Sequence, residues 1–430
     1  MPNRHSISFS RRRFVAAAAG TALFASIDAK SAPLLGRQNK WHAEAPNSWI
    51  EVDVGVFEDN LRLVQVMLAK GARLCAIMKA DAYGIGIDML MPSIIRARVA
   101  HVGIASTEEA RMVRACGFKG RLMRVRCATL DEIEAALAYR VEELVGNLDV
   151  ARAIGAGARK RGHAIPVHLA LNAGGMSRNG LEMATEQGQR DARELAATKG
   201  LRIVGMMTHF PNEDRSDTLK VLGTFKEQTA WLFANSELRR EDVILHTANS
   251  FATQHVPEAH LDMTRTGGAL YGYGGTEKPP FAHVASFKTR VASVNAYPAG
   301  NTVSYDRTFT LKRDSLLANL PVGYSDGYRR AYSNKGAVLI RGQRAPVVGN
   351  VTMNTTMVDV TDIPGVRPGD EVVLFGKQGS AQITQAEIEE LTGVILADQY
   401  TIWGSSNPKV LRPSKTPYPL ARPAPGIGNG

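Results

Sequence analysis

The chain has 430 residues and a mass of 46.5 kDa, too long for one ordinary domain and short for three, so two domains of unequal size are expected. With 44% hydrophobic and 22% charged residues it is neither disordered, nor collagen-like, nor a polytopic membrane protein, and three cysteines exclude a disulfide scaffold. Of the formal net charge of +11, the first 31 residues carry +4 through Arg4, Arg11, Arg12, Arg13 and Lys30 against Asp28; the other +7 is spread without a block of like charge, which reads as a solvated basic surface with no nucleic acid partner.

Residues 1–31 read as a signal peptide. Arg11, Arg12 and Arg13 precede an apolar run from Phe14 to Ile27, and small residues at Ala29 and Ser31 offer a cleavage site after Ser31. Fourteen helical residues reach only ~21 Å, short of the ~30 Å hydrocarbon core, so a removed signal fits better than an anchor. The arginines resemble a twin-arginine signal, a route for proteins that load a cofactor before crossing the membrane, so a periplasmic location is expected. Residues 32–48 read as a linker.

From residue 49 to 286, short apolar runs alternate with helical patterns. Eight strands are predicted, at Leu74–Met78, Val102–Ala105, Leu122–Val125, Glu143–Val145, Val167–Leu171, Val204–Met207, Val243–Leu245 and Leu261–Met263. Phe57, Leu61, Val64 and Leu68 mark one helix face, closed by Gly71, and Ser106–Glu109 and Thr129–Glu132 are capping boxes. This is an α/β pattern, and eight such units suggest a (β/α)8 TIM barrel, with an open doubly wound sheet as the alternative. From 287 to 412 the rhythm becomes that of a mostly β C-terminal domain. Ala337–Ile340 and Ala345–Val348 face each other across Arg341–Arg344, a strand follows at Glu371–Phe375, and one capped helix starts at Thr384. Residues 413–430, with five prolines, read as a disordered tail.

Barrel enzymes carry their reactive groups at the C-terminal ends of the strands. The first predicted strand ends in Lys79-Ala-Asp-Ala-Tyr83-Gly-Ile-Gly86: an amine leaving a buried strand, an aromatic hydroxyl, and glycines that let backbone approach a ligand. Burial lowers an amine's pKa, as Schiff-base chemistry requires. Alone, such a lysine is more often a salt-bridge partner or a snorkelling charge, and a lone His209 more often structural. Met207-Thr-His209-Phe210, His246-Thr-Ala-Asn249-Ser250 and Asp262-Met-Thr-Arg265-Thr-Gly267-Gly268 add an imidazole, a hydroxyl, a guanidinium and two glycine amides. Together these suit an anionic, flat, heteroaromatic ligand, and pyridoxal 5′-phosphate matches each group. No metal is expected.

The Lys79–Gly84 segment resembles the cofactor-lysine motif of alanine racemases, and the likeness runs from Trp49 to about Leu411 through Trp49–Asp53, Met207–Phe210, Asn249-Ser250, Gly323–Tyr328 and Met353–Val360. The resemblance implies a barrel followed by a β domain, active as a head-to-tail homodimer with shared sites. It makes Lys79 the cofactor lysine and one of two acid/bases, with Tyr305 of the partner chain as the other. Two are needed because a proton must leave one face of the α-carbon and arrive at the opposite one. Tyr83, Asn249, Ser250, Gly267 and Gly268 are implied to bind the cofactor. His209 and Arg265 are implied to form the relay to Tyr305, and Arg265 faces a ring nitrogen it leaves unprotonated, which disfavours transamination. Arg178, Met353, Tyr324 and Asn407 are implied to meet the substrate.

Three departures from the strict alanine enzymes stand out. Ala170 replaces a lysine behind the carboxylate-binding arginine, Asn354 an aspartate, and Asn407 the tyrosine that narrows the entrance. With the signal, these resemble the periplasmic broad-specificity amino-acid racemases, which implies several free amino acids as substrates and D-amino acids for the cell wall as products. In those relatives a second cysteine partners the one before the lysine. His101 occupies that place here, so a bridge from Cys75 loses its partner, and Cys116 and Cys127 read as buried free thiols. The alternatives are a strict alanine racemase, a barrel-type amino-acid decarboxylase and a non-catalytic cofactor-binding barrel, the last disfavoured by the strand-rich second half.

Overall fold

The computed structural model describes residues 46–273 and 281–412, so the expected signal, most of the linker and the tail lie outside the described residues. In chain order the first half runs β1 (Ser48–Asp53), α1 (Val54–Met67), β2 (Arg73–Ile77), α2 (Lys79–Tyr83), α3 (Ile87–Arg96), β3 (His101–Ile104), α4 (Thr107–Ala115), β4 (Arg121–Arg124), α5 (Leu130–Ala136), β5 (Val141–Val145), α6 (Leu148–Arg161), β6 (Ile165–Ala170), α7 (Glu186–Ala196), β7 (Leu201–Met207), α8 (Arg215–Ala234), β8 (Ile244–His246), α9 (Ser250–His255), β9 (Met263–Thr266) and α10 (Gly268–Tyr271). The predicted caps operate: Ser106 and Thr129 accept from the backbone N–H of Glu109 and Glu132, whose carboxylates reach back.

Strands β2 to β9 form a parallel sheet in the order β8-β7-β6-β5-β4-β3-β2-β9. Asp262 N–H donates to Leu245 O at 3.1 Å and Arg265 N–H to Ala248 O at 2.9 Å, joining β9 to β8 and closing a TIM barrel. Seven strands are neighbours in chain order and the eighth lies beside the first, which rules out the doubly wound alternative and its switch point. Outward side chains such as Val167, Leu169 and Ile203 pack under the helices. The inward face holds an apolar plug of Cys75, Ile77, Met123, Ile244 and Met263, and beside it a set of charged and imidazole groups.

The second half comprises β10 (Ala285–Arg290), β11 (Ser293–Tyr297), β12 (Thr302–Val303), β13 (Phe309–Thr310), β14 (Ser315–Leu320), β15 (Ala337–Ile340), β16 (Gln343–Pro346), β17 (Thr356–Asp359), β18 (Glu371–Gln378), β19 (Ala381–Ile383), α11 (Gln385–Thr392), α12 (Leu396–Ser406) and β20 (Lys409–Arg412). One sheet runs β16-β15-β18-β10-β1-β20 with β19 on β18, a second β11-β14-β17, and β12 pairs with β13.

Three features differ from the sequence expectation. The segment from Trp49, expected to open the barrel, lies in the second sheet, antiparallel to β10 (Ile50 opposite Phe287) and parallel to β20 (Ile50 opposite Lys409). Eight strands already close the barrel, so a ninth apolar strand must bury itself elsewhere. The 337–346 hairpin turns through Arg341 and Gly342 alone, both at positive φ (51° and 76°), a two-residue turn whose twist matches the strands. Helix α12 was not anticipated. It starts at Ile395 without a side-chain cap and contains Gly404, so it lacks the usual start signal, yet its Trp403 is buried against Phe287 and Phe375.

Candidate active site

Lys79 begins α2 directly after β2. Ala80, Asp81, Ala82 and Tyr83 all have left-handed φ values, between 52° and 57°. For L-residues this conformation costs roughly 1–2 kcal/mol each, so the turn must be held from outside. Glu109 Oε1 accepts from Ala80 N–H at 2.8 Å, Asp81 Oδ1 from Ile87 N–H at 2.9 Å, and Lys409 Nζ donates to Asp81 Oδ2 at 2.7 Å. The expectation that glycines of this segment admit a ligand is not met at Gly84. A Cβ on Gly84 would lie 2.2 Å from Tyr400 O, and one on Gly404 would lie 1.8 Å from Gly84 O, so these glycines let α12 sit backbone-to-backbone on the lysine turn. The turn delivers two groups to one place: the Lys79 amine lies 5.8 Å from the centre of the Tyr83 ring, which packs on Tyr271 at 4.6 Å.

Burial lowers the Lys79 pKa, and the nearby positive charges of Arg178 and Arg265 lower it further. Burial pushes the Tyr83 phenol up to about 12, so it stays a donor. Ser250, first residue of α9, accepts from Gly267 N–H and Ala269 N–H, both at 3.2 Å, which leaves its own proton free to donate. Asn249 caps that helix through Oδ1, accepting from Ala252 N–H at 2.9 Å, and so places Ser250. Gly267 must be bare, because a Cβ there would stand 2.4 Å from Tyr83 Oη. Two hydroxyls and the backbone at 267–268 thus converge on a cradle that suits a phosphate.

Arg265 crosses the barrel mouth. Its Nη1 donates to His246 Nδ1 at 3.0 Å and His246 O at 2.7 Å, and its Nη2 to Thr208 O, His209 Nδ1 and Thr247 O at 2.9–3.1 Å. Among the described residues its Nε–H has no partner, which leaves one directed donor for a ring nitrogen. Burial lowers the guanidinium to about 10, still charged near neutrality. Burial, then Arg265, Arg178 and Lys79, hold His209 down at about 3. His209 is therefore neutral, and since Arg265 occupies Nδ1 its proton sits on Nε2. Arg178 is exposed on the loop after β6 with no ion pair among the described residues. That loop is braced by Asn172, which accepts from Ser177 N–H at 2.9 Å and donates to Glu182 at 2.7 Å. Behind it, Ala170 packs with Leu144 and Met207.

The β domain presents Tyr305, Met353 and Tyr324 to solvent, at 70%, 55% and 42% exposure. Tyr305 sits between Ser304 and Asp306, whose φ values are 65° and 62°, with Asn350 Nδ2 donating to Tyr305 O and Asp306 Oδ2 at 3.0 Å. A cavity of about 450 Å³ adjoins it, lined by Tyr297, Ser304, Leu311, Leu317 and Thr352 among others. Within one chain, no hydrogen bond, ring contact or ion pair joins Tyr305 to Lys79, His209 or Arg265 among the described residues. Asn354 Nδ2 donates to Ser325 Oγ at 2.8 Å, tying the Met353 and Tyr324 segments together.

Two readings of residues change. Asn407 is only 7% exposed: it accepts from Ser48 Oγ at 2.6 Å and donates to Asp326 O and Trp403 O, so its amide locks β1 to the end of α12 and is not offered to a substrate. The cysteines are free, and Cys75 is buried with its thiol pushed up to about 12, but Cys116 is half-buried and Cys127 is exposed, because it follows β4 in a loop at the barrel's open end. Sequence reasoning missed Asp81, Lys409 and the second service of Glu109. The capping box at Ser106 was a signal for Glu109; nothing local pointed to Lys409.

The arrangement defines a barrel enzyme that holds a flat, anionic cofactor beside a lysine. Residues 52–274 match the family model "Alanine racemase, N-terminal domain" and residues 284–411 "Alanine racemase, C-terminal domain". A "Broad specificity amino-acid racemase" of Pseudomonas putida is 54% identical over 93% of this chain and 99% of its own length. One of Pseudomonas taetrolens is 57% identical over 85% and 90%. Among solved structures, an alanine racemase from D-cycloserine-producing Streptomyces lavendulae superposes with a TM-score of 0.78 at 26% identity, over 86% of this chain and 98% of that one. The chain belongs to the alanine racemase family.

Two measurements probe this site. Gly404→Ala must part α12 from the lysine turn and is expected to lose cofactor during gel filtration while far-UV dichroism is unchanged; Gly223→Ala, on an open face, should behave as wild type. Asn407→Tyr should destabilise the fold by about 3 kcal/mol in denaturant titration, from lost buried hydrogen bonds and overpacking.

Proposed function

We propose that this chain racemises several free amino acids with pyridoxal 5′-phosphate, by exchanging the α-proton between Lys79 and the partner subunit's Tyr305 in a head-to-tail dimer. The chain is an isomerase of the amino-acid racemase kind, and pyridoxal 5′-phosphate is the cofactor its donor set fits. The observation that carries the two-base reading is a pairing: a buried amine with a depressed pKa at the barrel mouth, and a solvent-facing phenol on strained backbone that meets no group of its own site.

Tyr83, Ser250 and the Gly267–Gly268 backbone would hold the phosphate, Arg265 would offer its Nε–H to the ring nitrogen, and Arg178 would take the substrate carboxylate. The cofactor supplies delocalisation of the charge left when the α-proton departs. Everything else is done by this chain. Burial, helped by Arg178 and Arg265, lowers the Lys79 pKa and so makes its free amine more accessible than that of an exposed lysine; as amine it can take a proton, and as ammonium it can give one. His209, with its proton on Nε2, would donate to the oxygen of the partner's Tyr305 and so ease that phenol toward phenolate. The two groups swap roles with the enantiomer.

Breadth of substrate is supported by the names of the relatives above 50% identity and by Ala170 and Asn354. Because Asn407 is sealed in the fold, any wider entrance comes from the backbone around it lacking a tyrosine ring, not from its amide. Export to the periplasm and supply of D-amino acids there belong to the same proposal, and rest on the Arg11–Ile27 pattern.

Either enantiomer should take up solvent deuterium at the α-carbon. Tyr305→Phe should cut turnover about 10²–10⁴-fold, the usual weight of a lost acid/base, and confine exchange to one enantiomer. Lys79→Ala should leave a colourless protein with no covalent cofactor. Initial rates across a panel of L-amino acids test breadth, and turnover of alanine alone would overturn it. The Lys79 amine also makes a pH test. Its depressed pKa means free amine at a lower pH than in exposed lysines, so its modification midpoint should fall below theirs; Arg178→Ala removes a repelling charge and should move it up.

A further inference from the structure

TIM-barrel interiors are filled mainly by branched apolar side chains. Here a file of polar groups runs down the axis from the catalytic mouth. Arg265 Nη1 meets His246 Nδ1 at 3.0 Å, His246 Nε2 meets His168 Nδ1 at 2.8 Å, and His168 Nε2 meets Glu142 Oε2 at 2.8 Å. Arg121 Nε donates to Glu142 Oε1 at 2.5 Å, and its side chain is the first in the file to reach solvent. The two imidazoles are fully buried. The barrel makes room for them: a Cβ on Gly205 would stand 2.1 Å from His168 Nδ1.

The direction of every bond in this file is forced. A guanidinium only donates and a carboxylate only accepts. Arg265 therefore makes His246 Nδ1 an acceptor, so His246 carries its proton on Nε2 and gives it to His168 Nδ1. His168 then carries its proton on Nε2 and gives it to Glu142. Burial opposes the charge on Glu142, but His168 and Arg121 outweigh it and hold the carboxyl down at about 2. Burial also lowers both imidazoles, so each stays neutral with one proton to place. His101 stands beside the file with both ring nitrogens free of hydrogen bonds, and burial takes it to about 4, so it is neutral too. Cys75, raised to about 12, adds no charge.

We propose that Glu142, acting through His168 and His246, is a positioning residue for Arg265. It fixes the sense of the file, which orients the guanidinium so that Nη2 serves His209 and Nε is left for the cofactor ring nitrogen. An amide at 142 can donate as well as accept, which allows the file to reverse; His246 would then present N–H to N–H at Arg265 and the guanidinium must turn away. The inference rests on the racemase reading for its catalytic consequence, but not for its tautomers.

The test is Glu142→Gln in the full-length holoenzyme, with Glu142→Asp as the conservative variant. In wild type, ¹⁵N-histidine NMR should show His168 and His246 as neutral Nε2–H tautomers. In Glu142→Gln that assignment should be lost, kcat should fall about 10–100-fold with KM little changed, and the fraction of turnovers ending in transamination should rise, at unchanged cofactor stoichiometry. Glu142→Asp should recover the tautomers and part of the rate. Wild-type spectra with either imidazole protonated on Nδ1, or as imidazolium, overturn the proposal even if no variant folds. So does a folded Glu142→Gln with wild-type kcat and no added transamination. A wild-type enzyme that racemises nothing, with the expected tautomers, sinks the functional reading and leaves the file as described.

Discussion

Four consecutive residues in the left-handed region are the constraint on which the rest of this molecule depends. They cost several kcal/mol by the ~1–2 kcal/mol per residue rule, against which the turn itself sets bonds such as Ala82 N–H to Met78 O at 2.9 Å and Gly84 N–H to Ala80 O at 2.7 Å. Further support comes from three directions: Glu109 from the barrel, Asp81 through Lys409 from the last strand, and α12, whose Gly404 lies on Gly84. The β domain is thus part of the lysine's mounting, besides carrying Tyr305. Strain held this way keeps the amine and the Tyr83 hydroxyl fixed relative to each other before any ligand arrives, which is the sense in which a site is preorganised.

Electrostatics at the mouth follow from that placement. Besides burial, Arg178 and Arg265 lower the proton affinity of Lys79, with Glu109 working the other way, and Arg178 lowers that of Arg265. Burial first, then Arg265, Arg178 and Lys79, keeps His209 neutral, and the three basic groups together favour an anionic cofactor and an anionic substrate group. Arg265 alone of the three is bonded on both Nη atoms, so it is the fixed charge, whereas Arg178 is free to follow a carboxylate.

Much of this was legible in the sequence. All eight barrel strands were found because apolar runs between capped helices have one good solution, and the strand-end residues Lys79, His209, Ser250 and Arg265 do meet in space. What escaped has physical reasons. The Trp49–Asp53 run has the composition of any buried strand, and composition does not say which sheet has a vacancy. Glu142 and Glu143 are adjacent; alternation sends one to the axis beside Arg121 and the other outward to Arg124, and no local pattern says which. Asn407 looked like a mouth residue because an asparagine stood for a tyrosine, but its partners Ser48 and Asp326 lie 359 and 81 positions away.

Strand β1 lies between β10 and β20, so the earliest described strand waits for the last one. Its parallel neighbour is made only when synthesis has passed residue 409, and until then one of its edges offers bare N–H and C=O groups. Completion of this sheet therefore depends on a pairing of Ile50 with Lys409, a distant contact of the kind that slows folding. Because β20 also carries Lys409, its ion pair with Asp81 reaches the lysine turn only when that strand docks. The posture of the lysine is thereby tied to the docking of a strand more than three hundred residues further along the chain.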